Sequence, residues 1–314
     1  MSVNLNPLRL LGALFVATLG MSAAQTVLVR TMDGKWIEGT TTLNRVGNWK
    51  LSQIRSLHNG APASTAEAAA IQAGLAAIQG KDRAARDQAV EELTSIGLPV
   101  LTPLLDTIRD TDQHEPKTLY NLFNRIIPSI ADQPDRTASL FRLEAGQPTR
   151  GAWPQGELKL DTQSIPWSSI RLFAVRKKSI SREVDVHSLR HSTQIEYLDS
   201  GLHASPQSNL TATARGFTRL SWKQDEWATG PNGLTKPAPN YKTNLVDGHP
   251  FGALLARFTA KGTLMFLGEN ASKPKVGTGR LQLAINDNAH WQNNFGSYLV
   301  SLVLTEAYDL GDAR

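Results

Sequence analysis

The 314-residue chain contains no cysteine. That excludes a disulfide scaffold, a thiolate zinc site, an iron–sulfur cluster, a cysteine nucleophile and a lipoprotein anchor on cysteine. Long apolar runs are also scarce. Only Leu10–Leu19 is continuous enough to notice, and nothing later approaches the ~18–20 residues of a membrane helix. Charge of one sign is nearly balanced, with 33 Lys and Arg against 28 Asp and Glu, a net of +5. An excess of this size pulls weakly toward anionic surfaces and lacks the clustered basic footprint of a nucleic-acid binder, so nucleic acid is not an expected partner. The chain has no Gly-x-Ser-x-Gly elbow, phosphate-binding glycine loop, His-Glu-x-x-His or dinucleotide fingerprint. Those absences point away from an enzyme, although a pair of carboxylates that meets only in space leaves no motif. What is present is a folding composition, 40 % hydrophobic and 19 % charged, with length for two or three domains.

Residues 1–24 have the layout of a secretory signal peptide. Arg9 precedes the apolar run, and Ser22 and Ala24 are the small residues before a cleavage at Gln25. The expectation is an exported protein, working in the periplasm, the cell envelope or the extracellular space, with no integral membrane segment after cleavage. The alternative is an uncleaved anchor, for which the run is short.

The next region, 25–60, reads as short strands around the turn dipeptide Asp33-Gly34. It has an internal copy within 134–180. Leu28-Val29-Arg30, Gly34 and Gly39 match Leu140-Phe141-Arg142, Gly146 and Gly151 at identical spacing. Leu51-Ser52-Gln53-Ile54-Arg55 matches Trp167-Ser168-Ser169-Ile170-Arg171 after a four-residue insertion. A few short strands cannot stand alone, so the two copies are expected to pair into one small barrel or sandwich. Duplication of this kind serves as scaffolding or, in the sharper reading, offers two equivalent ligand sites.

Between the copies, 61–133 reads as helical. Ser64-Thr65 is a cap for an alanine-rich helix to Ile78, and Asp82–Asp106 carries Ala85, Ala89, Val90, Leu93 and Ile96 on one face. A third amphipathic helix is predicted over Lys117–Ile130. The string Arg86-x-x-Ala89-x-x-x-Leu93-x-x-Ile96-Gly97, followed by Pro99 and Leu104-Leu105, resembles a HEAT-type helical hairpin. A lone hairpin departs from that family's stacked repeats, so a spacer or packing role competes with protein docking.

From Glu183 the chain turns all-β. Strands are predicted at Thr193–Tyr197, Leu210–Ala214, Ala253–Phe258, Leu264–Gly268, Gly279–Asn286 and Gly296–Leu304, spaced as in a sandwich of seven to nine strands. Arg176-Lys177-Lys178 reads as a linker, or as a contact for a polyanion. His187 and His191 lie four apart, a metal-like spacing on a helix, but no third ligand is evident and chance spacing explains the pair. The chemically richest segment is the loop from Asn286 to Ser297, which holds Asp287, Asn293 and Asn294 beside Gly296. A carboxylate and several amide oxygens next to a tightly turning glycine are the chemistry of a calcium site. They are equally the residues of a polar hairpin turn.

Residues 183–306 resemble the PA-I-type calcium-dependent, galactose-binding bacterial lectins. The matching segments are Leu210–Phe217, Trp227-x-x-Gly230-Pro231-x-Gly233, Phe251-Gly252-Ala253-Leu254-Leu255 and the Asn286–Ser297 loop. The resemblance implies a galactose-binding-domain-like β-sandwich. It also implies a calcium ion held by Asp287, Asn293, Asn294 and the backbone carbonyl of Leu220, the metal in turn holding two sugar hydroxyls. The family's threonine ligand has no clear counterpart, and His290 or Trp291 stands in its place. His249-Pro250 sits nearer the Phe251-Gly252 strand than the family's sugar-contacting His-Pro does. Trp291 and His290 are the candidates to contact sugar, an indole suiting the hydrogen-lined face of a pyranose. A lid over the loop is the competing role for Trp291.

The fold class expected is mainly β with a helical insert. It comprises the duplicated β unit, a HEAT-like hairpin, the C-terminal sandwich and a tail at 307–314. The function expected is non-catalytic carbohydrate binding through calcium. The alternatives are a structural or protein-interaction module of the cell envelope and an accessory to a separate hydrolase.

Overall fold

The computed structural model describes residues 24–110, 117–126, 139–146, 148–221, 227–234, 246, 248–287 and 294–311. The expected signal segment lies outside them except for Ala24.

β1 (Gln25–Thr31) and β2 (Trp36–Thr41) form a hairpin across Asp33-Gly34, where Gly34 takes φ +87°, a region that needs no Cβ. A small hairpin, β3 (Arg45–Val46) and β4 (Trp49–Lys50), and a 3-10 turn at Leu51–Gln53 lead into β5 (Ile54–His58). The second copy follows the same order. β6 (Ser139–Leu143) and β7 (Thr149–Gly151) come first, then the hairpin β8 (Glu157–Leu160) and β9 (Gln163–Pro166). A 3-10 turn at Trp167–Ser169 then precedes β10 (Ile170–Val175).

The copies interlock. In the six-stranded sheet, ordered β2-β1-β10-β5-β6-β7, the closing strand of each copy pairs with the opening strand of the other. Val27 lies opposite Val175, Leu57 opposite Phe173, and Phe141 opposite Leu57 on the far side. Val27, Val29, Leu51, Ile54, Leu57, Phe141, Trp167, Ile170 and Phe173 share one core. Each copy therefore completes the apolar face that the other cannot cover alone. β10 is buried along its whole length, because one face meets this core and the other meets Leu28, Tyr308 and Leu310.

The helical insert contains α1 (Thr65–Gln79), α2 (Arg83–Ile96), α3 (Leu101–Asp110) and α4 (Lys117–Ile126). Ser64 caps α1 in a capping box with Glu67, whose Oε2 accepts from the Ser64 N–H at 3.0 Å. Asp82 caps α2, and Gly97 at φ +77° ends it. Ile71, Leu75, Val90, Leu93, Leu104, Leu119 and Leu122 form the apolar seam. Among the described residues, no helix is long and apolar enough to cross a membrane.

Arginines at matched positions of the repeat have different fates. Arg30 and Arg171 are fully buried and converge on Glu67, with Arg171 Nε and Nη2 donating to its two oxygens at 2.8 and 2.6 Å. Arg30 also pairs with Glu92 of α2. The counterparts turn the other way. Arg55 binds Asp309 at 3.3 Å, and Arg142 lies against Gly311. One pair anchors the helices and the other faces the C-terminal segment.

No linker follows β10. After Arg176 the chain continues directly as β11 (Lys177–His187), so the linker reading of the basic run is replaced by an ionic seam. Arg176 reaches Glu38 at 3.6 Å and Glu306 at 3.5 Å, and Lys177 pairs with Glu144. The remaining strands are β12 (Leu198–Ala204), β13 (Leu210–Arg219), β14 (Ala228–Thr229), β15 (Leu254–Phe258), β16 (Met265–Phe266), β17 (Asn270–Lys273), β18 (Gly279–Ile285) and β19 (Phe295–Asp309).

These strands and β11 form one continuous nine-stranded sheet that folds over itself. β19 pairs with β11 on one edge as far as Ala307 and with β13 on the other as far as Leu304. At Glu306 the backbone enters the left-handed region, φ +47°, and Ala307–Asp309 then pair with β12. A strand that changes partner at a bend carries the sheet around a corner into its second layer, β12-β18-β15-β16. The core between the layers includes Val184, Leu202, Leu210, Leu254, Leu281, Leu283, Val300 and Leu302.

Thr193–Tyr197 is not a strand. Its alternation reflects separate polar and apolar contacts. Thr193 binds Asp287, Glu196 binds Asn121 of α4, and the Tyr197 ring lies under Arg257 at 3.5 Å. His187 and His191 meet in a turn, where His191 Nδ1 accepts the His187 N–H at 3.0 Å.

Candidate functional site

β18 and β19 run toward one end of the domain, and the loop between them begins at Asn286-Asp287 and returns at Asn294. Asn286 is wholly structural. Its side chain accepts from Val246 N–H at 3.0 Å and donates to the carbonyls of His249 and Pro250 at 3.0 and 3.1 Å. Its backbone pairs with Gly252 and Ala253. Asp287 follows with no exposed surface. Its N–H donates to Thr193 Oγ1 at 3.0 Å, and the Thr193 hydroxyl is positioned to donate to its carbonyl at 3.2 Å.

Asn294, 4 % exposed, turns its side chain toward this carboxylate, and Nδ2 donates to Asp287 Oδ2. Its Oδ1 is buried without a hydrogen-bond partner among the described residues. An orphaned amide oxygen of this kind costs about 1–3 kcal/mol. Leu220 arrives from the neighbouring strand. Arg219 and Phe295 form the last pair between β13 and β19, so Leu220 and Asn294 are the next residues beyond it.

Two glycines permit this convergence. Gly296 has φ +92°, and a Cβ there would stand 2.4 Å from the Phe217 carbonyl oxygen. Gly252 has φ +82°, and its Cβ would meet Leu220 Cδ1 at 2.9 Å. Beneath them the Tyr298 hydroxyl donates within a bracket of the Gly252 and Gly230 carbonyls, 2.8 and 2.9 Å away, and burial pushes its pKa up. Trp227 packs edge-on against Phe251 with centroids 5.7 Å apart. Trp227, Gly230 and Phe251-Gly252, distant in sequence, thus support one loop.

The structure therefore brings Asp287 and Asn294 into contact and places Leu220 next in register to Asn294. Asn293, Trp291 and His290 lie outside the described residues. All the described donors are hard oxygens, carboxylate, amide and carbonyl, the set that suits calcium in kind. Among the described residues, no group of three or more His, Cys, Asp or Glu forms a metal cluster; the donors at this site are mostly amide and backbone oxygens.

Sequence reading missed one feature of the site. Phe217 and Phe295 are 56 % and 40 % exposed and meet edge to face at 6.2 Å, with Arg219 5.1 Å above Phe295. The only local signal is a phenylalanine at an outward position of each strand. Their pairing across β13 and β19 depends on register.

No protein family and no curated protein matches the chain. Among solved structures, the chain is similar to one described as "EclA N-terminal domain; PllA-like lectin". The identity is 21 %, over 40 % of this chain and 96 % of that one, with a TM-score of 0.30.

Proposed function

We propose that the C-terminal sheet is a non-catalytic carbohydrate-binding module of an exported protein. Its site lies where β18, β19 and β13 end. In this reading calcium is held by Asp287, Asn293, Asn294 and the Leu220 carbonyl, and supplies the positive centre that takes two sugar hydroxyls. Trp291 and His290 contact the sugar from the same loop. The observation that carries the reading is the buried meeting of Asp287 and Asn294, with Asn294 Oδ1 left unbonded. A cation in the loop would take that oxygen and the carboxylate together and remove the cost of the orphan.

The test is a thermal melt of the mature chain in EDTA and in millimolar calcium, repeated for Asp287→Ala. A ligand that binds only the folded state stabilises it by about 2.7 kcal/mol at a hundredfold excess over Kd. Calcium is expected to raise the midpoint of the wild type and not of Asp287→Ala, and a glycan array with calcium then reads the sugar. An unshifted wild-type midpoint sinks the calcium-bridged mechanism. A second reading, a protein-interaction module of the envelope, is favoured by the exposed Phe217–Phe295 pair beside the loop. Under that reading Phe217→Ser abolishes partner capture while calcium has no effect.

A further inference from the structure

An unassigned cavity of about 530 Å³ lies where the six-stranded sheet, α2 and the C-terminal sheet meet. It belongs to no single repeat or domain. Trp36 and Glu38 of β2, Glu91 and Glu92 of α2, His203 of β12 and Lys261 all line it.

Its charges are largely settled from outside. Glu38 is held by Arg176 and receives the Tyr308 hydroxyl, Glu92 is held by Arg30, and Arg280 is held by Asp199 at 2.8 Å. That leaves Glu91 and Lys261, one of each sign, so the cavity as a whole favours neither an anion nor a cation. Burial pushes the Glu91 carboxyl up, and its one described partner is the Ala260 N–H.

The wall is aromatic. Trp36 is 38 % exposed, one of the few large apolar side chains in this state among the described residues. Its indole lies 5.2 Å from the His203 ring, and His203 in turn meets Tyr308 edge-on at 6.2 Å. His203 is 7 % exposed, and its Nδ1 has no hydrogen-bond partner among the described residues. A half-open indole offers a flat apolar face and the Glu91 carboxyl a polar edge, while the His203 Nδ1 is buried behind the indole. A pyranose matches both, with a face of C–H groups and a perimeter of hydroxyls that donate and accept. We propose that this junction cavity is a second, calcium-independent site that binds a neutral saccharide ring stacked on Trp36, with Glu91 bonding its hydroxyls and the buried His203 ring backing the indole.

The experiment uses the mature chain in EDTA, which silences any calcium-bridged site. Calorimetric titration with glucose, galactose, N-acetylglucosamine, maltose and cellobiose is expected to give saturable binding for at least one. Trp36→Ala is expected to weaken that binding at least tenfold and Glu91→Gln several-fold, with Asp287→Ala unchanged. Glu91→Gln keeps an oxygen to accept the Ala260 N–H, and melting curves establish that each variant is folded. Binding lost with Asp287→Ala but kept with Trp36→Ala overturns the proposal. So does saccharide silence across the panel, or tighter binding of the neutral aromatics indole or adenine.

Discussion

At the scale of single residues, burial has reversed the ordinary behaviour of several polar groups. His203 is the clearest case. Burial, assisted by the nearby Arg280 charge and opposed by Asp199, lowers its pKa from 6.5 to about 3. The native state thus binds fewer protons than the unfolded chain between these values. Stability is fully present above pH 6.5 and is lost as pH falls toward 3, by about 1.4 kcal/mol per unit. His203→Gln removes the titration. Urea midpoints at pH 7 and pH 4 are therefore expected to differ less for this variant than for the wild type. An unchanged difference would show that acid acts elsewhere. Nothing local announced this histidine, which sits in a strand as any half-polar residue does. Its environment comes from Trp36 and Tyr308, more than a hundred residues away on either side.

At the scale of elements, the capping residue Glu67 belongs to two structures at once. As the third residue of α1 it closes the capping box on Ser64, the cap residue already legible in the sequence. Its second role, holding the buried Arg171 and Arg30, came only with the fold. Glu67→Gln separates the two, since glutamine can still close the box but carries no charge. The buried Arg171 would lose its counter-ion, and the buried Arg30 would keep only Glu92. The expected loss is about 3–5 kcal/mol in chemical denaturation, the usual result of breaking a buried pair on one side. A loss below 1 kcal/mol would mean that the backbone carbonyls of Asn59 and Ala61, each 2.8 Å from Arg171, suffice. The strands show the same division. β13 and β18 were visible as alternating or apolar runs, whereas Thr193–Tyr197 had the pattern and folds as a turn.

At the scale of the whole molecule, three bodies are joined by specific seams and share one short segment. The side chains of Tyr308, near the end of β19, and of Leu310, just beyond it, pack on Leu28, Leu172 and Ala174 of the six-stranded sheet. Asp309 between them takes Arg182 at 3.0 Å and Arg55 at 3.3 Å. On the other side Arg257 binds Asp87 of α2 at 3.1 Å. Leu310→Ala is expected to cost roughly 2–5 kcal/mol, the range for emptying a fully buried leucine site, in equilibrium urea unfolding. A near-neutral result would show that the two sheets cohere without this plug. The junction cavity exists only because these seams hold the three bodies around it.

The amino-acid sequence by itself determined the local grammar. The Asp33-Gly34 turn, the Ser64 and Asp82 caps, the stop at Gly97 and the repeat spacing are all set by backbone sterics and near-neighbour hydrogen bonds. The oxygen-rich loop at Asp287 was legible for the same reason, as a run of residue types. The tertiary structure alone decided which strand each copy closes on, where β19 changes partner, and which of the matched arginines is buried. It also brought Asp287, Asn294 and Leu220 to one strand end, and Trp36 to His203. These outcomes depend on register and on surfaces supplied by distant segments, and a contact between remote residues leaves no periodic trace in the residues that make it.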